Sequence, residues 1–206
     1  MDRPLRRLSQ LYAGLVLYGV SMALQIRAGL GLDPWDVFHE GVADRTGLSF
    51  GTVVVVTGAL VLLAWIPLRQ RPGIGTVSNV VVIGLAVDAT LAVLPEAGPL
   101  PVQVAMLAAG IGLNAVAGGA YIGAGLGPGP RDGVMMGLHR RTGRPVALLR
   151  AGIEITALVV GALLGGTLGI GTVAFALAVL ASLFRGPPDL PAGELGGVWA
   201  KEPAGR

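Results

Sequence analysis

The chain has 206 residues, of which 53% are hydrophobic and only 13% are charged. An average soluble domain carries roughly 25% charged residues, so these charges are too few to cover a water-facing surface, and the apolar content excludes the disordered and fibrous classes. A net charge of +3, 5% aromatic residues and no cysteine leave no disulfide framework, no thiolate site and no basic-aromatic surface for a nucleic acid.

In chain order, residues 1–8 form a basic cytoplasmic segment carrying Arg3, Arg6 and Arg7. A crossing of the bilayer needs about 20 mostly apolar residues. Six stretches qualify: 9–28, 50–68, 74–94, 102–123, 146–165 and the shorter 168–184. The first follows its arginines as a signal peptide would, but a copy of it recurs at the fourth stretch, which marks it as a retained span. Residues 185–206 are expected to be a disordered cytoplasmic tail. With the N-terminus inside and all six stretches crossing, twelve of the fifteen basic residues fall on the cytoplasmic side. That bias places both termini in the cytoplasm.

The chain also matches itself without a gap at an offset of 96 residues. Ala28-Gly29-Leu30-Gly31 recurs as Ala124-Gly125-Leu126-Gly127, and Pro34, Asp36 and Gly41 as Pro130, Asp132 and Gly137. Arg45-Thr46-Gly47 recurs at 141–143, and Gly73-Ile74-Gly75-Thr76-Val77 at 169–173. Between residues 26 and 47, 11 of 22 positions are identical to their partners. Each copy holds three spans, so the second enters from the opposite side. The expected fold is therefore an all-α membrane protein of six transmembrane helices, arranged as two inverted three-helix repeats at 9–94 and 102–184.

After its first span each copy carries a short element, Pro34–Arg45 and Pro130–Arg141. Proline suits the first helical position, an acid two residues later suits the positive helix end, and Thr-Gly suits a left-handed stop. Twelve residues cannot cross, so these helices are re-entrant or interfacial. Asp36 and Asp132 either cap their own helices or help wall a site. The glycine turns expose N–H groups at buried helix starts, where an anionic group is favoured. This makes Gly31, Pro34, Asp36, Gly127, Pro130, Arg131 and Asp132 candidate solute-binding residues.

Ionisable groups at membrane depth are costly and so point to function. Arg150 and Glu154 share a helix face, either as a mutually neutralising pair or as a solute or proton site. Asp88 is a proton-coupling candidate unless it lies wet at the outer interface. Asn79 and Asn114 serve either as interhelical hydrogen-bond donors or as ligands. Gly119-xxx-Gly123 and Gly161-xxx-Gly165 read as close-packing devices.

Enzyme signatures are poor. His39 and His139 lack ligand spacing, the serines form no nucleophile motif, and the glycine turn follows a span and not a strand. No catalytic residue, metal or cofactor is expected.

Gly29–Phe38, Thr46–Val53, Arg71–Thr76 and Gly123–Gly133 together resemble the YczE/YitT-type bacterial integral membrane proteins, over residues 8–184. The resemblance implies a multi-pass protein of the bacterial cytoplasmic membrane. The repeat itself points to a secondary transporter or permease for a small polar or anionic solute, working by alternating access. The alternative is a non-transporting membrane scaffold or accessory protein supporting another pathway. Expected partners are the lipid bilayer and a small-molecule solute, with a homodimer left open and no nucleic acid.

Overall fold

The computed structural model describes residues 4–184; the expected tail at 185–206 and Arg3 lie outside the described residues. The described residues form eight α-helices and no strand. They are α1 (Pro4–Ala28), α2 (Pro34–Thr46), α3 (Phe50–Leu63), α4 (Ile74–Val93), α5 (Leu100–Gly123), α6 (Pro130–Thr142), α7 (Val146–Leu164) and α8 (Ile170–Phe184).

Four of these, α1, α4, α5 and α7, are long and apolar enough to cross a membrane. The stretch expected at 50–68 is helical only over the 14 residues of α3, about 21 Å at 1.5 Å per residue. Pro67 cannot donate to a helical carbonyl, and the chain from Ala64 to Arg69 turns instead. That turn buries Trp65, whose indole N–H donates to the Pro130 carbonyl at 2.9 Å. α2 and α3 meet at a bend of 114°, and if the pair counts as one crossing the total is five. α8, expected as a sixth, has 15 residues.

The two short helices follow the same rule. Pro34 and Pro130 each sit at the helix start, and Gly47 and Gly143 end the helices at φ 71° and 67°. Their N–H groups donate to Ala43 and His139, each at 2.8 Å. The cap of α2 is not Asp36, however. Asp33 accepts from the N–H groups of Trp35 and Asp36, both at 2.9 Å, while α6 begins at Gly129 with no side-chain cap. Asp33, at the helix entrance, reaches the free N–H groups ahead of it, whereas Asp36, in the first turn, faces His39.

α1 packs against both α4 and α5. α1 and α5 cross at repeat-equivalent glycines. A Cβ on Gly14 would stand 2.8 Å from the Tyr121 nitrogen, and one on Gly110 would stand 2.7 Å from Gln25 Cγ. The expected close-packing glycines behave unevenly. Gly161 lies against the Phe38 backbone, whereas Gly119 and Gly165 face open space.

The two copies also exchange one contact. The Gly171 N–H donates to the Leu30 carbonyl, and the Gly75 N–H donates to the Leu126 carbonyl, each at 2.9 Å. Gly31 (φ 103°) and Gly127 (φ 128°) sit in these turns, in backbone space that side chains rarely enter. A Cβ on Gly31 would stand 2.6 Å from Gly169, and one on Gly127 would stand 2.8 Å from Thr76 Oγ1. Each copy's Gly-Leu-Gly turn thus docks on the start of the other copy's last helix, which is where the second duplicated motif lies.

Gly31→Ala and Gly127→Ala are each expected to destabilise the protein by roughly 2 kcal/mol or more, from strained φ plus overlap. Gly112→Ala, which faces open space, is expected to leave the melting temperature of the detergent-purified protein unchanged or slightly raised. Wild-type melting of both turn variants would contradict this docking.

Candidate functional site

A cavity of about 390 Å³ lies between the copies. The first copy contributes Tyr18 from α1 and Asn79 and Ile83 from α4. The second contributes Asn114 and Tyr121 from α5, Gly129 to Asp132 and Met135 from α6, and Arg150, Ile153 and Glu154 from α7. Seven of the twelve candidates named from sequence therefore line one space: Asn79, Asn114, Pro130, Arg131, Asp132, Arg150 and Glu154.

Arg131 is the centre of this wall. α6 presents it in its first turn, and its guanidinium lies 4.8 Å over the Trp35 ring, a cation–π contact worth about 0.5–2 kcal/mol. Trp35 and Arg131 are 96 residues apart, so the duplication brings equivalent positions face to face. No hydrogen bond or ion pair among the described residues engages the guanidinium, although its charge keeps five donors available. The Arg131 side chain lines the cavity.

Across the cavity, Glu154 keeps its Oε2 buried without a partner. The Arg150–Glu154 pair does not form: the one arginine–carboxylate ion pair among the described residues is Arg27–Glu96. Arg150 lines the cavity and is exposed. Asp132 receives the Tyr121 hydroxyl at 3.5 Å, and the Tyr18 and Tyr121 rings meet edge to face at 6.1 Å. Asn114 donates to Ser21 Oγ at 3.1 Å, tying α5 to α1.

Behind Arg131 lies a smaller cavity of about 40 Å³, lined by Trp35, His39, Thr57, Asn79 and Arg131 among others, large enough for a water molecule or two. The Trp35 indole N–H is buried there without a partner. His39 Nδ1 stands 3.4 Å from Asp36 Oδ1, with the two residues 3% and 1% exposed. Asp36 is thus a buried partner of His39 and lines neither cavity.

The remaining candidates lie elsewhere. Gly31 and Gly127 form the turn contacts between copies, and Pro34 starts α2. Asp88 accepts from the Ser49 hydroxyl at 2.6 Å and from the Gly51 N–H at 2.7 Å. It therefore caps α3 from α4, a pairing invisible before the helices are assembled. Sequence reasoning missed Tyr18, Tyr121 and Trp35, and weighed His39 only as a metal ligand. The available signal was the 96-residue offset, which pairs Trp35 with Arg131 and Tyr18 with Asn114.

A family model described as "Family of unknown function (DUF6198)" matches residues 5–181. The "Uncharacterized membrane protein YczE" of Bacillus subtilis (strain 168) is 35% identical over 135 residues, which cover 64% of this chain and 62% of that protein. An "Uncharacterized protein" of Haemophilus influenzae (strain ATCC 51907 / DSM 11121 / KW20 / Rd) is 34% identical over 174 residues, 84% of this chain and 80% of that protein. The match thus spans under two thirds of the Bacillus relative's length. No solved structure matches the chain. The membrane relative and the apolar helices agree that this is a multi-pass membrane protein.

Because Asp88 ties α4 to the start of α3, Asp88→Ala should lower the melting temperature, by about 1–2 kcal/mol of stability for a lost cap. A melting curve superimposable on wild type would show that these two hydrogen bonds contribute nothing.

Proposed function

The chain belongs to the family of unknown function DUF6198, and from that premise we propose that it is a secondary transporter for a small polar or anionic solute. The observation that carries this reading is the polar, partly open cavity of about 390 Å³ lined by both copies. Inverted-repeat carriers bind solute at such a seam, near the bilayer midplane.

On this reading the halves 9–94 and 102–184 are inverted, with six crossings by α1, α3 with its turn to Arg69, α4, α5, α7 and α8. α2 and α6 re-enter from opposite faces, so that their first turns meet where Arg131 covers Trp35. Both termini face the cytoplasm of a bacterial inner membrane, and exposed apolar side chains such as Leu60, Leu85 and Leu163 face lipid. Alternating access rocks one half against the other about the paired glycine turns. Arg131 supplies planar donors for an anionic group, and the free N–H groups at the uncapped start of α6 favour the same charge. Asn79, Asn114 and the tyrosine hydroxyls add neutral polar contacts.

The test is uptake. Proteoliposomes holding the purified protein are incubated with a complex mixture of small metabolites, and their lumen is assayed by mass spectrometry. At least one solute should accumulate over empty liposomes, with Arg131→Gln reducing its uptake by about 10-fold or more, as expected for loss of a charged hydrogen-bonding partner. No accumulation by folded, correctly reconstituted protein would refute the carrier and favour a scaffold role.

A further inference from the structure

We infer that the solute is a small zwitterion, its anionic group taken by Arg131 and its cationic group by Glu154; this rests on the carrier reading above and specifies its substrate.

Opposite charges at membrane depth ordinarily neutralise each other in place, because leaving either unpaired is costly. Arg131 and Glu154 share one cavity and do not pair. The guanidinium spends one face on Trp35 and leaves its edge donors without a protein acceptor among the described residues. Glu154 leaves Oε2 buried and unmatched. A solute carrying both charges, lying between them, relieves both costs at once.

The other charges on the wall do not substitute. Asp132 is already approached by the Tyr121 hydroxyl, Arg150 is exposed, and Asp33 and Asp36 are engaged by the start of α2 and by His39. The lining carries two arginines and two acids, so it offers groups for both signs of charge. A solute that is only an anion leaves Glu154 unmatched, and one that is only a cation leaves Arg131 unmatched. The planar guanidinium fork suits a carboxylate, while a carboxylate with a free oxygen accepts from an ammonium. A volume of about 390 Å³ is within the range of small-ligand sites.

The experiment measures thermal shifts of the full-length protein in nanodiscs against the common amino acids. Each responder is then compared with its deaminated acid and its decarboxylated amine. At least one amino acid should raise the melting temperature in a concentration-dependent manner, with both truncated analogues at least about 10-fold weaker. Glu154→Gln should abolish the preference for the amino acid over its acid. Arg131→Lys, which keeps the charge but loses the fork, should weaken binding while the protein still folds. An acid that binds as tightly as its amino acid, or a panel without any shift, overturns the zwitterion. If such a panel accompanies uptake of some other solute, the carrier stands and only this inference fails. Binding of an amino acid by protein that accumulates no solute at all refutes the carrier and leaves a zwitterion-binding site.

Discussion

The rest of the structure depends on one contact made twice: a glycine turn from one copy accepting a backbone N–H from the other. Leu30 meets Gly171 as Leu126 meets Gly75, at the same 2.9 Å. A Cβ on Gly75 would stand 2.9 Å from the Leu126 carbonyl oxygen and one on Gly31 would stand 2.6 Å from Gly169, so the junction has no room for a side chain on either side. The turn then decides where the next helix starts, and through Pro34 and Pro130 it directs the first turns of α2 and α6 towards each other. Arg131 over Trp35 and the cavity beyond follow from that aim.

The cavity takes Arg131 and Asp132 from the short helix α6, and its other polar side chains from the long helices. A long apolar helix satisfies its own backbone and offers a bilayer only side chains. A helix that starts inside the protein brings free N–H groups with it. α2 offsets this with the Asp33 cap, whereas α6 begins at Gly129 without one, so the two ends of the duplication have diverged chemically. On α2 a carboxylate closes the helix start. On α6 the start lies open on the cavity beside an arginine. The duplication built a symmetric frame, and substitution at a few positions made its interior one-sided.

Much of this was legible in the sequence. The ends of α2 and α6 fall within one residue of those expected, because proline and left-handed glycine are local signals that tertiary packing does not override. Asn79, Asn114, Arg131, Asp132, Arg150 and Glu154 could be nominated because polar groups are conspicuous in an apolar stretch. What could not be read depends on neighbours distant in sequence. Tyr18 and Tyr121 count as ordinary span residues until their hydroxyl ends meet a cavity. Asp88 looks like a lone charge until Ser49 and Gly51 arrive. Asp36 and Asp33 differ by three positions, and only the helix geometry shows which carboxylate reaches the free N–H groups. α3 stops early because Pro67 and the docking of Trp65 on Pro130 outweigh a continuous apolar run.

The most direct measurement exploits the absence of cysteine. A single cysteine at Ile153, on the cavity wall, is challenged with a membrane-impermeant thiol reagent in right-side-out and inside-out vesicles. Single cysteines at the exposed, repeat-equivalent positions Asp44 and Arg140 mark the two faces. An alternating cavity between inverted halves predicts that Asp44→Cys and Arg140→Cys react from opposite faces and Ile153→Cys from both. Labelling of both markers from one face, or of Ile153→Cys from one face alone, contradicts it.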